Sequence, residues 1–270
     1  MGAMAKLYLP PRKLSGCLFG GVYRDTRSAR LCDADRLNHF PASPLVSVTY
    51  VISGELRLLG TGEGWQAARE SQPVPRLWAA GPCHAPTTSW SPGPVCAITI
   101  GVFPDAWSRL GGDAGHGRIP VVLSKAMARF AAHTDPDDGW SELCATLEPH
   151  WSEARAFNFG VSDWVADILK RAALSGSGRS LRAVERRIKR ATGQTRRNLE
   201  FFTTFENLHR KARENTTAGL ANIAVDAGFA DQSHMGRVVR RATGFSPARL
   251  NRAIESEEPF WCYRLLGERF

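Results

Sequence analysis

Two short basic stretches near the C-terminal end of the chain carry its clearest chemical pattern. Lys189–Thr195 reads KRATGQT, and Arg240–Ser246 reads RRATGFS, 51 residues later. A phrase that recurs in this way indicates that one structural unit is used twice. The side chains of Lys and Arg attract anions and donate hydrogen bonds to them, so the repeated unit is suited to bind a polyanion.

The distribution of charge along the chain points to the same chemistry. The 270 residues have a formal net charge of +9. Residues 1–156 contain 15 Lys or Arg and 14 Asp or Glu, whereas residues 157–270 contain 20 and 12. The positive excess therefore lies in the C-terminal part, which indicates a polyanion partner for that part alone. A solvated basic face that only aids solubility would give the same count.

Residues that could hold a metal or perform catalysis form no recognisable motif. The six cysteines are scattered without a Cys-x-x-Cys pair, so we expect them to be reduced and mostly buried. The N-terminal histidines, His39, His84 and His116, lack the His-x-His spacing of a cupin metal site, and Cys83 beside His84 has no partner nearby in sequence. We therefore predict no catalytic residue, no metal site, no cofactor and no enzymatic activity.

The start of the chain and its hydropathy predict a cytoplasmic protein. The first thirteen residues, MGAMAKLYLPPRK, contain no apolar region of the kind found in a signal peptide. Moreover, no apolar run approaches the ~20 residues that a membrane-spanning helix needs. Membrane partners are therefore not expected.

The elements that precede the basic region predict β-structure followed by helices. Leu45–Ile52 alternates apolar and polar residues, and Ser53-Gly54 then suggests a hairpin into Glu55–Leu59. Val95–Phe103 reads as another strand. Residues 1–123 thus predict a β-rich domain, and residues 124–157 predict a helical connector with Ser124 as its first cap. The connector is also a candidate for dimerisation.

The repeat itself predicts two helices of about twelve residues each. When Gly193 is aligned with Gly244, Ser180 falls on Asp231, and both are strong N-cap residues. Arg186 falls on Arg237, and each glycine stands where a helix ends. A shorter helix and a turn precede each copy, which is the pattern of a helix-turn-helix. We place these units at residues 161–193 and 219–244.

A predicted helix over residues 195–213 joins the two units, with Leu199, Phe202, Phe205, Leu208 and Ala212 on one face. Its length of about 28 Å at ~1.5 Å per residue compares with about 34 Å between successive major-groove faces of B-DNA. One chain could therefore present two recognition helices to adjacent grooves. The predicted fold class is α+β with several domains: the β-rich domain, the connector, an all-α domain over residues 158–252, and a tail over residues 253–270.

The segment Leu220–Leu250, LANIAVDAGFADQSHMGRVVRRATGFSPARL, resembles the second helix-turn-helix of the AraC/XylS family of bacterial transcription regulators. Arg179–Gly193, RSLRAVERRIKRATG, is similar to the first helix-turn-helix of that family. The resemblance covers residues 161–250, about a third of the chain. It implies an N-terminal cupin-like or jelly-roll-like β-domain that binds a small effector, dimerises, or does both.

The resemblance also implies roles for named residues. Base edges in the major groove would be read by Arg182, Glu185, Arg186, Gln232, Ser233, His234 and Arg237. These residue types suit that role because Arg binds guanine, Gln binds adenine, and Glu accepts a hydrogen bond from cytosine. Phosphates would be bound by Lys189, Arg190, Arg240 and Arg241, which lie late in their helices. A structural role for His234 stays open.

The sequence thus predicts a sequence-specific regulator, an activator or a repressor, that binds double-stranded DNA. RNA polymerase, a small-molecule effector and a second copy of the chain are left open as further partners. Two other classes remain to be distinguished. One is a metal-dependent enzyme fused to a DNA-binding module, and the other is a nonspecific nucleoid-type binder.

Overall fold

The computed structural model describes residues 2–60, 63–113, 115–152, 160–175, 180–214 and 220–269. Its N-terminal domain contains two antiparallel sheets. The five-stranded sheet has the order β1-β2-β8-β4-β6, and the three-stranded sheet has the order β3-β7-β5. The strands are β1 Met4–Tyr8, β2 Leu18–Asp25, β3 Leu37–Phe40, β4 Val46–Ser53, β5 Arg57–Leu59, β6 Leu77–Ala80, β7 Thr87–Trp90 and β8 Cys96–Val102.

Helices cover one face of the five-stranded sheet. Val48 on β4 lies opposite Ile100 on β8, and both side chains are fully buried. Phe130 and Leu143 from two helices of this domain belong to the same core, so this face of the sheet is packed and dry. The helices of the N-terminal domain are α1 Trp65–Ala68, α2 Pro104–Arg109, α3 Val121–Ala132 and α4 Pro136–Leu147.

The C-terminal region is helical. Its helices are α5 Val161–Leu174, α6 Leu181–Thr192, α7 Arg196–Glu214, α8 Leu220–Asp226, α9 Gln232–Thr243, α10 Pro247–Ser256 and α11 Trp261–Arg269. We call α5 with α6 the first unit and α8 with α9 the second unit. The predicted fold class, a β-sheet domain followed by a helical region, is therefore confirmed. Among the described residues, no helix is both long enough and apolar enough to cross a membrane.

The two units are packed in different ways. The buried side chains of the first unit, including Trp164 and Ile188, belong to one core with the N-terminal domain. Met235 and Val239 of the second unit belong to another core, which they share with Phe260 and Tyr263 near the end of the chain, whereas Ala242 of α9 belongs to the first core. The apolar faces of the two repeats are thus buried mainly against different partners.

The predicted hairpin through Ser53-Gly54 is wrong. β4 pairs with β6 and β8 in the five-stranded sheet, whereas β5 pairs with β7 in the other sheet. Gly54 has a φ of +83°, and a Cβ there would lie 2.3 Å from the carbonyl oxygen of Pro94. The glycine therefore lets the chain leave one sheet for the other at a point of close backbone contact, instead of reversing it.

Two predicted boundaries fall inside helices. Helix α3 begins at Val121, so Ser124 lies in its first turn and is not its cap. The boundary between residues 123 and 124 therefore cuts α3, and the boundary between residues 252 and 253 cuts α10. Proline explains both helix starts, because its fixed φ suits the position before or at the first helical turn, occupied by Pro120 and Pro247.

Candidate nucleic-acid interface and ligand cavity

Helix α6 presents three of the predicted base-reading residues on its exposed side. The Ser180 hydroxyl accepts a hydrogen bond from the Ala183 N–H at 3.3 Å, which fixes the helix start as predicted. The helix ends at Gly193, whose φ of +71° is left-handed. Ala183 and Ile188 are buried, so the opposite face points outward. That face carries Arg182, Glu185 and Arg186, all of them exposed.

Helix α9 repeats the same construction. The Asp231 carboxylate accepts a hydrogen bond from the His234 N–H at 2.6 Å, and Gly244 ends the helix with a φ of +83°. Met235 and Val239 are buried, so the opposite side of the helix faces outward. Its exposed side carries the other predicted base-reading residues, Gln232, Ser233, His234 and Arg237.

The turn between α8 and α9 is built on a Gly-Phe pair, Gly228 and Phe229. Gly228 has a φ of +82°, and the next residue, Phe229, donates its N–H to the Ala224 carbonyl at 2.9 Å. The Phe229 side chain is 6% exposed and contacts the His234 ring, with 5.3 Å between ring centroids. His234 thus has a structural contact in addition to its exposed position.

Two equivalent threonines stabilise the C-terminal ends of helices α6 and α9. The Thr192 hydroxyl donates to the Ile188 carbonyl at 2.8 Å and accepts from the Gln194 N–H at 3.1 Å. Thr243 makes the same two hydrogen bonds, to the Val239 carbonyl and from the Phe245 N–H. Each hydroxyl satisfies two backbone groups at a helix end. Sequence reasoning missed this role, although the identity of Thr in both copies was a signal for it.

Most of the exposed basic side chains of the two units carry charge that the described residues do not neutralise. Within the described part of the chain, no ion-pair partner is found for six of them: Arg182, Arg186, Lys189, Arg190, Arg237 and Arg240. Ser233, Gly236, Arg237 and Arg240 also line a shallow groove beside α9. Such unpaired cations suit contact with phosphates or with base edges.

Arg241, predicted to bind phosphate, has a contact within the protein. Its guanidinium lies over the Phe201 ring of α7, 4.1 Å from the ring centroid. This cation–π contact joins the end of α9 to the helix between the units. Arg241 therefore differs from Arg240, for which the described residues provide no such contact.

One strip of the N-terminal domain touches both copies of the repeated phrase. The strip consists of residues 41–44 and 83–86, which are joined by a bridge between Ser43 and Cys83. The Gln194 side chain, within the first copy, donates to the Pro44 carbonyl at 3.0 Å. The Ala242 carbonyl, within the second copy, accepts from the Ala42 N–H at 2.7 Å. The C-terminal ends of α6 and α9 are thus held by the same strip.

His84 lies in this strip against the helix that joins the units. The Asn198 amide donates to His84 Nε2 at 3.1 Å, and the His84 and Phe202 rings lie 5.5 Å apart. Burial, and secondarily the nearby Arg241 cation, lower the pKa of His84. The neutral ring that results can accept the Asn198 hydrogen bond. No sequence pattern indicated this contact between residues 114 positions apart.

A cavity of about 260 Å³ lies between the N-terminal domain and the helices. The five-stranded sheet contributes Thr49, Trp78 and Thr99 to its wall. The helical region contributes Phe202 and Phe205 from α7 and Cys262 and Tyr263 from α11. Two phenylalanines of the predicted apolar face of α7 therefore reach a cavity that both parts of the molecule build.

Within the described ranges, no group of three or more His, Cys, Asp or Glu side chains is placed to hold a metal ion. Of the three N-terminal histidines, His39 contacts Thr88 and two phenylalanines, and the His116 ring lies at a tilt beside the Trp107 ring. Cys83 and His84 stay neighbours in the strip without converging on His39 or His116 in any such group.

No protein-family model and no curated protein matches the chain. Structures of ToxT from Vibrio cholerae are similar at low identity. The 1.65 Å structure is 10% identical with a TM-score of 0.39, covering 92% of this chain and 97% of that chain. The unsaturated fatty acid-bound form is 9% identical with a TM-score of 0.34, covering 79% and 93%. Similarity at this level assigns neither a family nor a function to the chain.

Proposed function

We propose that the protein is a sequence-specific, double-stranded-DNA-binding transcription regulator of the AraC/XylS type. One observation carries the proposal. Two helices that each have a capping side chain at the same position and the same threonine–glycine ending expose Arg186 and Arg237 at equivalent positions, and neither Arg has an ion-pair partner among the described residues. A nonspecific binder needs only positive charge, whereas two capped helices with exposed Arg side chains are suited to insert into major grooves.

The chemistry of the exposed faces supports reading two different sequences. The first face offers Arg182, Glu185 and Arg186, and the second offers Gln232, Ser233, His234 and Arg237. The residues that differ between the copies precede the shared ending and could contact base edges. The shared Thr-Gly ending builds the same scaffold twice. Exposed Lys189, Arg190 and Arg240 would contribute phosphate contacts that set register and salt dependence.

The cavity supports control of this activity by a small effector. Its wall includes Phe202 and Phe205 from α7, the helix that joins the two units. A ligand that binds there contacts both the N-terminal domain and the element between the recognition helices. It could therefore bias how the units are held relative to DNA, provided that it binds two arrangements with different affinity.

Selection from randomised double-stranded DNA with the full-length protein tests the proposal. We expect enrichment of a site that contains two short conserved segments about one helical turn apart. Competition binding should then favour that site over random duplex by at least ~10³-fold at physiological salt. Enrichment of no sequence, or equal competition by random DNA, would identify a nonspecific binder instead.

Two substitutions on α9 distinguish contacts with base edges from contacts with phosphates. Arg237→Ala should cost about 1–3 kcal/mol on the selected site and flatten base preference at one position. Arg240→Ala is the matched control, because it removes an equally exposed cation one turn later. It should weaken binding to every duplex and reduce the salt slope by about one unit. Equal losses on all sequences for Arg237→Ala would remove it from the base-reading set.

A further inference from the structure

An open cavity of about 520 Å³ lies in the N-terminal domain where helix α3 begins, and it shares no lining residue with the cavity that α7 reaches. Four basic residues from different elements line it: Arg109 at the end of α2, Arg118 in the next loop, Lys125 on α3, and His150 after α4. All four are exposed, and the described lining contains no Asp or Glu. Cations gathered around one concave surface attract an anion to it.

Two of these cations lack a partner of opposite charge. Within the described part of the chain, neither Arg118 nor Lys125 forms an ion pair. The acids closest to the wall in sequence have other partners: Asp113 accepts the backbone N–H of Arg118 at 2.9 Å, and Glu148 pairs with Lys13 at 3.4 Å. The guanidinium and the ammonium are therefore available to an anion that enters the cavity.

The loop that carries Arg118 is fixed by its own hydrogen bonds. The Trp107 indole donates to the Asp113 carbonyl at 2.9 Å, and the Gly112 N–H donates to the Trp107 carbonyl at 3.0 Å. Trp107 is only 1% exposed, so the loop is attached to the core of the domain. The backbone that presents Arg118 is thus already ordered, which lowers the entropy cost of binding a ligand.

The rest of the wall is mainly apolar. Leu110, Ile119 and Val122 line the cavity and pack, partly buried, against the core of the domain. The volume corresponds to about seventeen water molecules at ~30 Å³ each, which is room for a ligand of on the order of ten to twenty non-hydrogen atoms. A concave wall with both cations and apolar side chains suits a small molecule with an anionic group and an apolar body. The DNA backbone would use only the cations.

We infer that this cavity binds a small phosphate monoester with an apolar body, and that Arg118 and Lys125 contact its phosphate. A phosphate dianion suits several cations better than a carboxylate does, because it has more charge and more acceptor oxygens. Helix α2 connects the site to the first unit, since Asp105 accepts hydrogen bonds from Trp164 and Arg171 of α5. Only a regulatory consequence of binding rests on the proposed function, because binding itself is measured without DNA.

Calorimetric titration of the full chain at pH 7.5 and low salt tests the inference with phenyl phosphate, benzoate and inorganic phosphate. We expect saturable binding of phenyl phosphate, about tenfold tighter than that of benzoate, which has a single negative charge. Phenyl phosphate should also bind about three- to tenfold more tightly than inorganic phosphate, because the apolar wall accepts its ring. No saturable binding of phenyl phosphate, or equal affinity for either of the other probes, would overturn the inference.

Variants assign the binding to this cavity. Arg118→Gln and Lys125→Gln should each weaken the binding of phenyl phosphate by about five- to tenfold, because each removes one charged donor. Arg30→Gln is the matched control: Arg30 is exposed, has no ion-pair partner among the described residues, and is absent from the cavity wall. It removes the same charge and should leave the affinity unchanged. An unchanged affinity in both cavity variants, or an equal loss in the control, would contradict the assigned site.

DNA is the alternative partner for the same cations. We expect Arg118→Gln to leave the salt dependence of binding to duplex DNA unchanged. A salt slope reduced by about one unit would place Arg118 on the DNA backbone and overturn the inference. Failure to select a specific duplex would contradict the proposed function, whereas the titrations with phenyl phosphate would stand.

Discussion

Single side chains determine how helices α6 and α9 end. Thr192 and Thr243 are 2% and 1% exposed, and each joins two backbone groups around a left-handed glycine. The base-reading candidates, in contrast, lie in exposed positions with few contacts of their own. The buried threonine and the glycine that both copies share thus maintain the scaffold, whereas the exposed residues of α6 and α9 are free to contact a partner. This division of roles is what the proposed function requires of a duplicated unit.

We predict that Thr192→Val lowers the free energy of unfolding by about 1–3 kcal/mol, since it leaves the buried Gln194 N–H without an acceptor. Thr192→Ser should restore most of the loss because it keeps the hydroxyl. Thr203→Val on α7 is the control, as its hydroxyl donates only to the Glu200 carbonyl at an exposed position. Urea denaturation measures all three, and equal losses for Thr192→Val and Thr203→Val would contradict the role assigned to Thr192.

The elements differ in how far the sequence predicts them. The ends of α6 and α9 follow from local residues, Ser180 with Gly193 and Asp231 with Gly244, and both were predicted. Strand partners depend on contacts between distant segments, so the pairing of β5 with β7 was not predicted. The same limit applies to the site. Helical periodicity predicts which residues of α6 and α9 are exposed, but not that Gln194 binds the carbonyl of Pro44, 150 positions away.

Helix α9 contains a glycine, Gly236, that tests helix propensity at the proposed interface. A Cβ at this position meets no atom within 4 Å. Gly236→Ala should therefore raise the free energy of unfolding by about 0.5–1 kcal/mol. Gly139→Ala on α4 should act in the opposite direction, since a Cβ there would lie 2.9 Å from the Phe130 carbonyl oxygen. Chemical denaturation of both variants checks the pair, and destabilisation by Gly236→Ala would show a constraint on α9 that the packing does not contain.

At the scale of the whole molecule, the N-terminal domain holds both units. Asp105 accepts hydrogen bonds from Trp164 and Arg171 of α5, at 3.0 Å each. Beyond the second unit, the Trp261 indole donates to the Asn38 side chain at 2.8 Å, and Arg24 pairs with Glu258. The tail packs with the second unit and thus lies against the N-terminal domain as well. Removal of the N-terminal domain would expose the apolar face of α5, so the stability of the first unit depends on that domain.

His39 makes the contact between strand β3 and the second unit sensitive to acid. Its ring lies 4.8 Å from the Phe260 ring and 5.3 Å from the Phe245 ring, between strand β3 and the second unit. Burial is the main reason why the pKa of His39 is lowered to about 4; Glu257 opposes the shift, and Arg249 contributes to it. The unfolded chain takes up a proton on this ring near pH 6.5, but the folded protein does so only near pH 4. Stability should therefore fall as the pH decreases through that window.

The expected loss attributable to His39 is about 1 kcal/mol between pH 7.5 and pH 5.5, approaching ~3 kcal/mol near pH 4. Urea denaturation of the wild type and of His39→Gln at pH 7.5 and at pH 5.5 measures this loss of stability. Other histidines with lowered pKa values, His84, His116 and His209, remain in both proteins and cancel in the comparison. The variant should lose less stability on acidification than the wild type does. Parallel loss in the two proteins would mean that His39 takes up its proton equally well in the folded and unfolded chains, and that the contact between strand β3 and the second unit is not the acid-sensitive one.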